Sequence, residues 1–145
     1  MPTRLLEIDP QANSRHIRLV SDTGILLKER YAALSHCWGK SPTNTTTKAV
    51  FVSHTQGIDI LSLSKTFQHT IFVTRELGIR YLWIDSLCII QDDEDDWKRE
   101  AENMADVFAN AFVTIAASAS TDGDGGLFYP RALETERSGT VRWTI

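Results

Sequence analysis

Polar residues capable of chemistry stand where three apolar runs end. Tyr31-Ala32-Ala33-Leu34 gives way to Ser35, His36, Cys37 and Trp38. Tyr81-Leu82-Trp83-Ile84 gives way to Asp85 and Ser86, with Gln91 soon after, and Phe112 to Ala117 gives way to Ser118 and Ser120. Glu100 follows the second group, close to the start of a helical segment. A partly buried carboxylate beside a cleft with aromatic walls can stabilise an oxocarbenium-like centre, the chemistry of glycosidic bond cleavage. On that reasoning Glu100 and Asp85 are catalytic candidates, and Ser35, His36, Trp38 and Gln91 are substrate-binding candidates. Each has a plainer reading beside it. His36 can hydrogen-bond a backbone carbonyl, Trp38 and Trp83 can pack in the core or at its rim, and Asp85 can accept from loop amides. Glu100 can form a structural ion pair with Arg75, Arg80 or Arg131. Cys37 and Cys88 read as small buried hydrophobes, and a Cys37/His36 nucleophilic pair is opposed because adjacent strand residues point to opposite faces.

The segments that must position these groups have readable patterns. Arg4 to Ile8 and His16 to Val20, separated by Asp9-Pro10-Gln11-Ala12-Asn13-Ser14, read as a hairpin. Tyr31 to His36 reads as a buried strand, and Lys40 to Gly57, with its threonines and no period, as a long exposed loop. Ser62 to Leu77 carries Leu63, Phe67, Thr70, Thr74 and Leu77 on one stripe, leaves Phe72 outside, and stops at Gly78. Tyr81 to Ile84 is the next strand, so the order is that of a parallel βαβ unit.

The acidic run Asp92 to Asp96 marks a helix N-terminus, with capping and solubility as its plain role. The helix runs from Asp95 to about Ala111. With Trp97 taken as zero and about 100° per residue, Ala101, Met104, Phe108 and Ala111 fall near Trp97, while Glu100 sits on the flank at about 300° beside Val107. Phe112 to Ser118 is a third parallel strand. A small-residue loop, a charged linker and a final strand-like Val141 to Ile145 follow. In parallel sheets ligands collect outside the carboxyl ends of the strands, so Ser35, His36, Trp38, Asp85, Gln91 and Glu100 are expected to line one cleft.

The composition bounds the rest. The chain has 145 residues, 42% hydrophobic and 23% charged, which fits one globular domain over residues 1–145. Fifteen basic against nineteen acidic residues, a net charge of −4, leave no basic face for nucleic acid or for an anionic membrane. No apolar run spans a bilayer and no signal segment opens the chain, so the expectation is a cytoplasmic protein with no membrane span. Two cysteines 51 positions apart argue against a disulfide framework or zinc site. Without a Gly-x-Gly-x-x-Gly, a Walker loop, a Gly-x-Ser-x-Gly or a His-x-x-x-His, neither a metal nor a cofactor is expected.

Three blocks carry a resemblance: Tyr31 to Gly39, Arg80 to Asp92, and Asp96-Trp97-Lys98-Arg99-Glu100 leading through Met104 to Ala111. Together they resemble the fungal heterokaryon-incompatibility (HET) domain. Leu63 to Gly78, Thr114 to Ser118 and Gly126 to Arg131 are similar to its pattern too, over a core of about residues 3–131. Ser64 stands where the family often has Pro, and His69 and Thr70 where an acidic residue and Ala are common. The resemblance implies a domain of fungal non-self recognition that triggers programmed cell death, a form of innate immunity. It also implies kinship with Toll/interleukin-1 receptor (TIR) domains, some of which cleave the nicotinamide–ribose bond of NAD through a glutamate. The fold expected is α/β, a TIR-like (flavodoxin-like) three-layer arrangement with a mostly parallel central sheet and an added N-terminal β-hairpin. Gly39 and Arg131 join the substrate-binding candidates. The TIR glutamate lies on a later helix, near the position of the loop Ser118 to Gly126, which contains no Glu; Glu100 therefore stands on its wheel position and its place in the HET block. NAD is then a possible nucleotide substrate, and no resident cofactor is implied. Self-association and an incompatibility partner protein are the expected contacts, with a non-enzymatic assembly module as the alternative. The final strand-like run points to an open sheet edge and to the N-terminal part of a longer protein.

Overall fold

A computed structural model describes residues 2–8, 14–21, 29–36, 44–117, 133–135 and 140–143. The elements are β1 (Leu5–Glu7), β2 (His16–Val20), β3 (Tyr31–His36), α1 (Phe51–Gln56), β4 (Ile58–Asp59), a 3-10 turn (Ile60–Ser62), α2 (Lys65–Glu76), β5 (Tyr81–Trp83), α3 (Asp85–Cys88), α4 (Glu94–Asn110), β6 (Val113–Ala117), β7 (Leu133–Thr135) and β8 (Thr140–Trp143). One sheet joins the strands in the order β4-β2-β1-β5-β3-β6-β8-β7.

The hairpin is present. β1 and β2 pair antiparallel with Leu6 opposite Leu19, and β2 alternates buried Ile17 and Leu19 with exposed His16 and Arg18. The βαβ unit is present as well: β3 pairs parallel with β5, Ala32 opposite Leu82, and parallel with β6 on its other side. Tyr31 to Leu34 and Tyr81 to Trp83 are buried at every position, so these strands are covered on both faces. Trp83 meets Phe108 of α4 edge-on, with ring centroids 5.4 Å apart.

The expectation of a mostly parallel sheet is corrected. β5, β3, β6 and β8 run parallel, but both flanks are antiparallel, and four of the seven strand pairings among the described residues are of that kind. The hairpin is the cause: it docks beside β5, with Leu6 opposite Leu82, and brings β4 with it. The final strand is not an open edge either, because β7, inside the expected linker, pairs antiparallel with β8 and covers it.

α2 begins with Ser64 accepting from the Phe67 amide, which accounts for serine at that position. Its buried threonines satisfy themselves: Thr70 donates to the Thr66 carbonyl and Thr74 to that of Thr70, each at 2.7 Å. The helix stops where Gly78 takes φ +73°, a left-handed conformation that disfavours any side chain. Leu77, placed on the stripe by its spacing, is the capping residue and half exposed, while Phe72 is exposed as expected.

Two further expectations change. The loop expected from Lys40 to Gly57 contains α1, which buries no residue fully and has no side-chain cap; Phe51 is its only hydrophobic packed against the core, so no periodicity announced it. α4 is rotated from its expected setting. Its buried residues are Asp96, Glu100 and Val107, whereas Trp97 is 50% exposed and Met104 and Phe108 are only partly buried. The buried line is centred near about 280° on the wheel, so the flanking glutamate lies on the buried line itself. Among the described residues no helix is long and apolar enough to cross a membrane.

Candidate functional site

The carboxyl ends of β3, β5 and β6 share one edge of the sheet, and Ser35 stands exposed there, opposite Ala116 of β6. His36 is the last residue of β3; its side chain lies outside the described residues, as do Cys37, Trp38, Gly39, Ser118, Ser120 and Arg131. After β5 the chain turns at once into α3, where Asp85 accepts from the Ser86 amide at 2.7 Å. This is the loop-amide role foreseen as its plain alternative, and it leaves Asp85 at the sheet edge.

Gln91 holds this turn from the far end. Its side-chain amide donates to the carbonyls of Asp85 (3.1 Å) and Ile89 (2.8 Å), and its backbone amide donates to the Thr46 carbonyl. Thr46, completely buried, donates the return bonds. Its amide donates to the Ser86 carbonyl and its hydroxyl to that of Leu87 at 2.6 Å. A hydroxyl has one proton, so the 2.8 Å contact with His54 Nδ1 requires the imidazole to donate. Burial lowers the His54 pKa below the ordinary histidine value.

A cavity of about 280 Å³ opens on this turn, lined among the described residues by Asp85, Ile89, Gln91, Trp97 and Met104. Two sequence candidates, Asp85 and Gln91, are therefore brought together, with Trp97 and Met104 as α4's contribution. Glu100 does not line it. Glu100 lies on the same side of the helix, three residues after Trp97 and four before Met104, and is 2% exposed. Thr3 donates its hydroxyl to Glu100 Oε1, and Arg99 Nε lies 3.5 Å from the same oxygen. Of the partners expected from sequence, Arg75 is engaged with the Ser14 carbonyl and Arg80 with Glu7, and Arg131 lies outside the described residues.

The buried ion pair of this region lies one turn earlier and was not visible in the sequence. Arg4 grips Asp96 with two bonds of 2.7 and 3.1 Å and donates to the Cys88 carbonyl. Asp96 accepts in addition from the Ile90 amide and from Arg99. Burial alone would raise its carboxyl pKa; the hydrogen bonds from Arg4 and Ile90, and the charges of Arg4 and Arg99, outweigh it and hold the group below the ordinary carboxylate value. Asp96 thus belongs to the acidic run only by position. Its wheel angle, about 260°, beside Glu100 and Val107, is the signal that could have separated it from its neighbours.

Cys88 is buried, and burial pushes its thiol up to about 12. The expected outcome is that the native protein leaves this thiol unmodified by a maleimide at pH 8 while the urea-unfolded chain is labelled, read at Cys88 by peptide mass spectrometry. Among the described residues no group of three His, Cys, Asp or Glu side chains is placed to hold a metal.

The family model described as heterokaryon incompatibility protein (HET) matches residues 31–144, well over half of the chain. The chain belongs to the HET family. The match includes β3, the Asp85–Gln91 turn and the whole of α4, hence every sequence candidate for the site. It reaches past Arg131 through β7 and β8, and it leaves β1 and β2 outside. Glu100 and Asp96 therefore belong to the HET segment, as do Ile90 and Arg99, while two of their partners, Thr3 and Arg4, precede it. Comparison with curated proteins found no match, and comparison with solved structures found none.

Proposed function

We propose that this HET domain is the cell-death effector of a fungal non-self recognition system, related to TIR domains, and that it acts by hydrolysing the nicotinamide–ribose bond of NAD. The observation that supports this reading is the cavity that brings Asp85 together with Gln91 and Trp97; Glu100 lies buried on α4, three residues after Trp97, and does not line that cavity. In this reaction the carbon–nitrogen bond to the ring breaks, its electron pair leaves with nicotinamide, and positive charge passes to the ribose. Water adds to that carbon and loses a proton. The buried Glu100 carboxylate would stabilise the ribosyl cation, and Asp85 would accept the proton. Gln91, Ser35, His36, Trp38, Gly39 and Arg131 are the proposed substrate contacts. Self-association and a partner protein of the incompatibility system are proposed as the triggers.

The test is direct. Purified protein incubated with NAD is expected to release free nicotinamide in proportion to enzyme and time, measured by chromatography. A preparation that is folded, self-associated and toxic when expressed, yet releases none, removes the enzymatic reading. The second reading, a non-enzymatic assembly module, then stands. Phe72 favours it, being 54% exposed on α2 opposite the buried stripe.

A further inference from the structure

Trp97 is half exposed in the first turn of α4, although its residue type belongs in a core. Two adjoining hollows end on it. Beside the cavity at Asp85 lies a second, of about 300 Å³, lined among the described residues by Gln91, Asp92, Glu94 and Trp97, so that Gln91 and Trp97 serve both. At about 280 and 300 Å³ they stand at the lower end of the range that takes a small ligand. Every charged group lining them among the described residues is a carboxylate. Of the cations on α4, Arg99 is engaged by Asp96 at 2.5 Å, while Lys98 reaches the rim of the second hollow by pairing with Glu94 at 3.4 Å, an exposed contact of little strength that leaves the negative field to Asp85 and Asp92. An indole face beside fixed carboxylates attracts a flat positive ring and repels a phosphate.

We infer that the Trp97 hollow is a subsite for a planar aromatic cation stacked on the indole, with Asp85 and Asp92 supplying the negative field. This deepens the NAD reading and rests on it in one respect, that the oxidised nicotinamide ring is such a cation. It assigns the ring end of the dinucleotide to this hollow and its diphosphate to a place outside. The charge leaves the ring as the bond to ribose breaks. Trp97 therefore holds the substrate more firmly than the neutral product, and acts on KM more than on kcat.

The test uses binding without turnover. Calorimetric titration with 1-methylnicotinamide, a cation, and with neutral nicotinamide is expected to show the cation bound about tenfold tighter, a preference that shrinks with added salt. Trp97→Ala is expected to weaken the cation about tenfold, leave the neutral ring almost unchanged and melt normally; Trp97→Phe is expected to retain most of the preference. Equal affinity for the two rings, or an unchanged preference in Trp97→Ala, overturns the inference. Hydrolysis of NAD without any cation preference overturns it too, and leaves the enzymatic reading in place. A cation preference in a protein that releases no nicotinamide supports the subsite and removes the NAD reaction.

Discussion

Replacing Glu100 by Gln is expected to cut nicotinamide release by roughly a thousandfold while the fold stays as it is, because the substitution removes a charge that acts on a cationic transition state. The shape is conserved. Thr3 can still donate its hydroxyl to the remaining side-chain oxygen, and the Arg99 guanidinium is 60% exposed, so losing its 3.5 Å contact changes stability little. Glu102→Gln, on the exposed side of the same helix, serves as control. Nicotinamide release and thermal melting are measured on all three proteins. A Glu100→Gln protein that melts normally and hydrolyses NAD at the wild-type rate takes Glu100 out of the reaction and passes the role to Asp85.

Asp96→Asn is expected to do the reverse and damage the fold. It removes the counter-charge of Arg4, which is 7% exposed, and disturbs a carboxylate that also receives the Ile90 amide. Breaking a buried pair from one side costs about 3 to 5 kcal/mol. The pH dependence follows from the same geometry. The native Asp96 carboxyl titrates below its unfolded counterpart, which loses its proton near about 3.9. Its contribution is therefore complete above that pH and is lost as pH falls through the native value. Urea midpoints taken from pH 7 downwards should show a wide gap between wild type and Asp96→Asn that closes below about pH 4. A gap that persists unchanged into acid would show that the carboxylate charge is not what Arg4 requires.

The two variants also mark what a sequence can and cannot disclose. The βαβ unit was legible because its signals are local: an apolar run at Tyr31, a stripe through Phe67 and Thr74, a glycine at position 78, and a second run at Tyr81. The meeting of Asp85 and Gln91 follows from that same unit, since both belong to the turn after β5. The docking of β1 on β5 was not legible, because nothing at Leu6 refers to Leu82. Arg4 and Asp96 form their pair across 92 positions, and each looked locally like a solvated charge. The helical spacing sets α4 one notch off, because it centres the buried face on the largest apolar side chain, Trp97. The structure turns that indole outward and buries two carboxylates in its place.

The seat of β5 in the sheet bears on the order in which the chain can assemble. β1 on one side and β3 on the other both depend on β5, and neither pairs with the other. During synthesis the hairpin and then β3 leave the ribosome first, with their inner edges unmatched until Tyr81 to Trp83 emerges between them. Nascent chains ending before that strand hold the hairpin and an unpaired β3, whose partners β5 and β6 both come later, and such exposed backbone edges are the kind of surface that recruits chaperones or other chains. Non-local closure of this sort is slow. The three residues of β5 therefore act as a timing element, and arrest of nascent chains on either side of Trp83 should divide protease-sensitive from protease-resistant species.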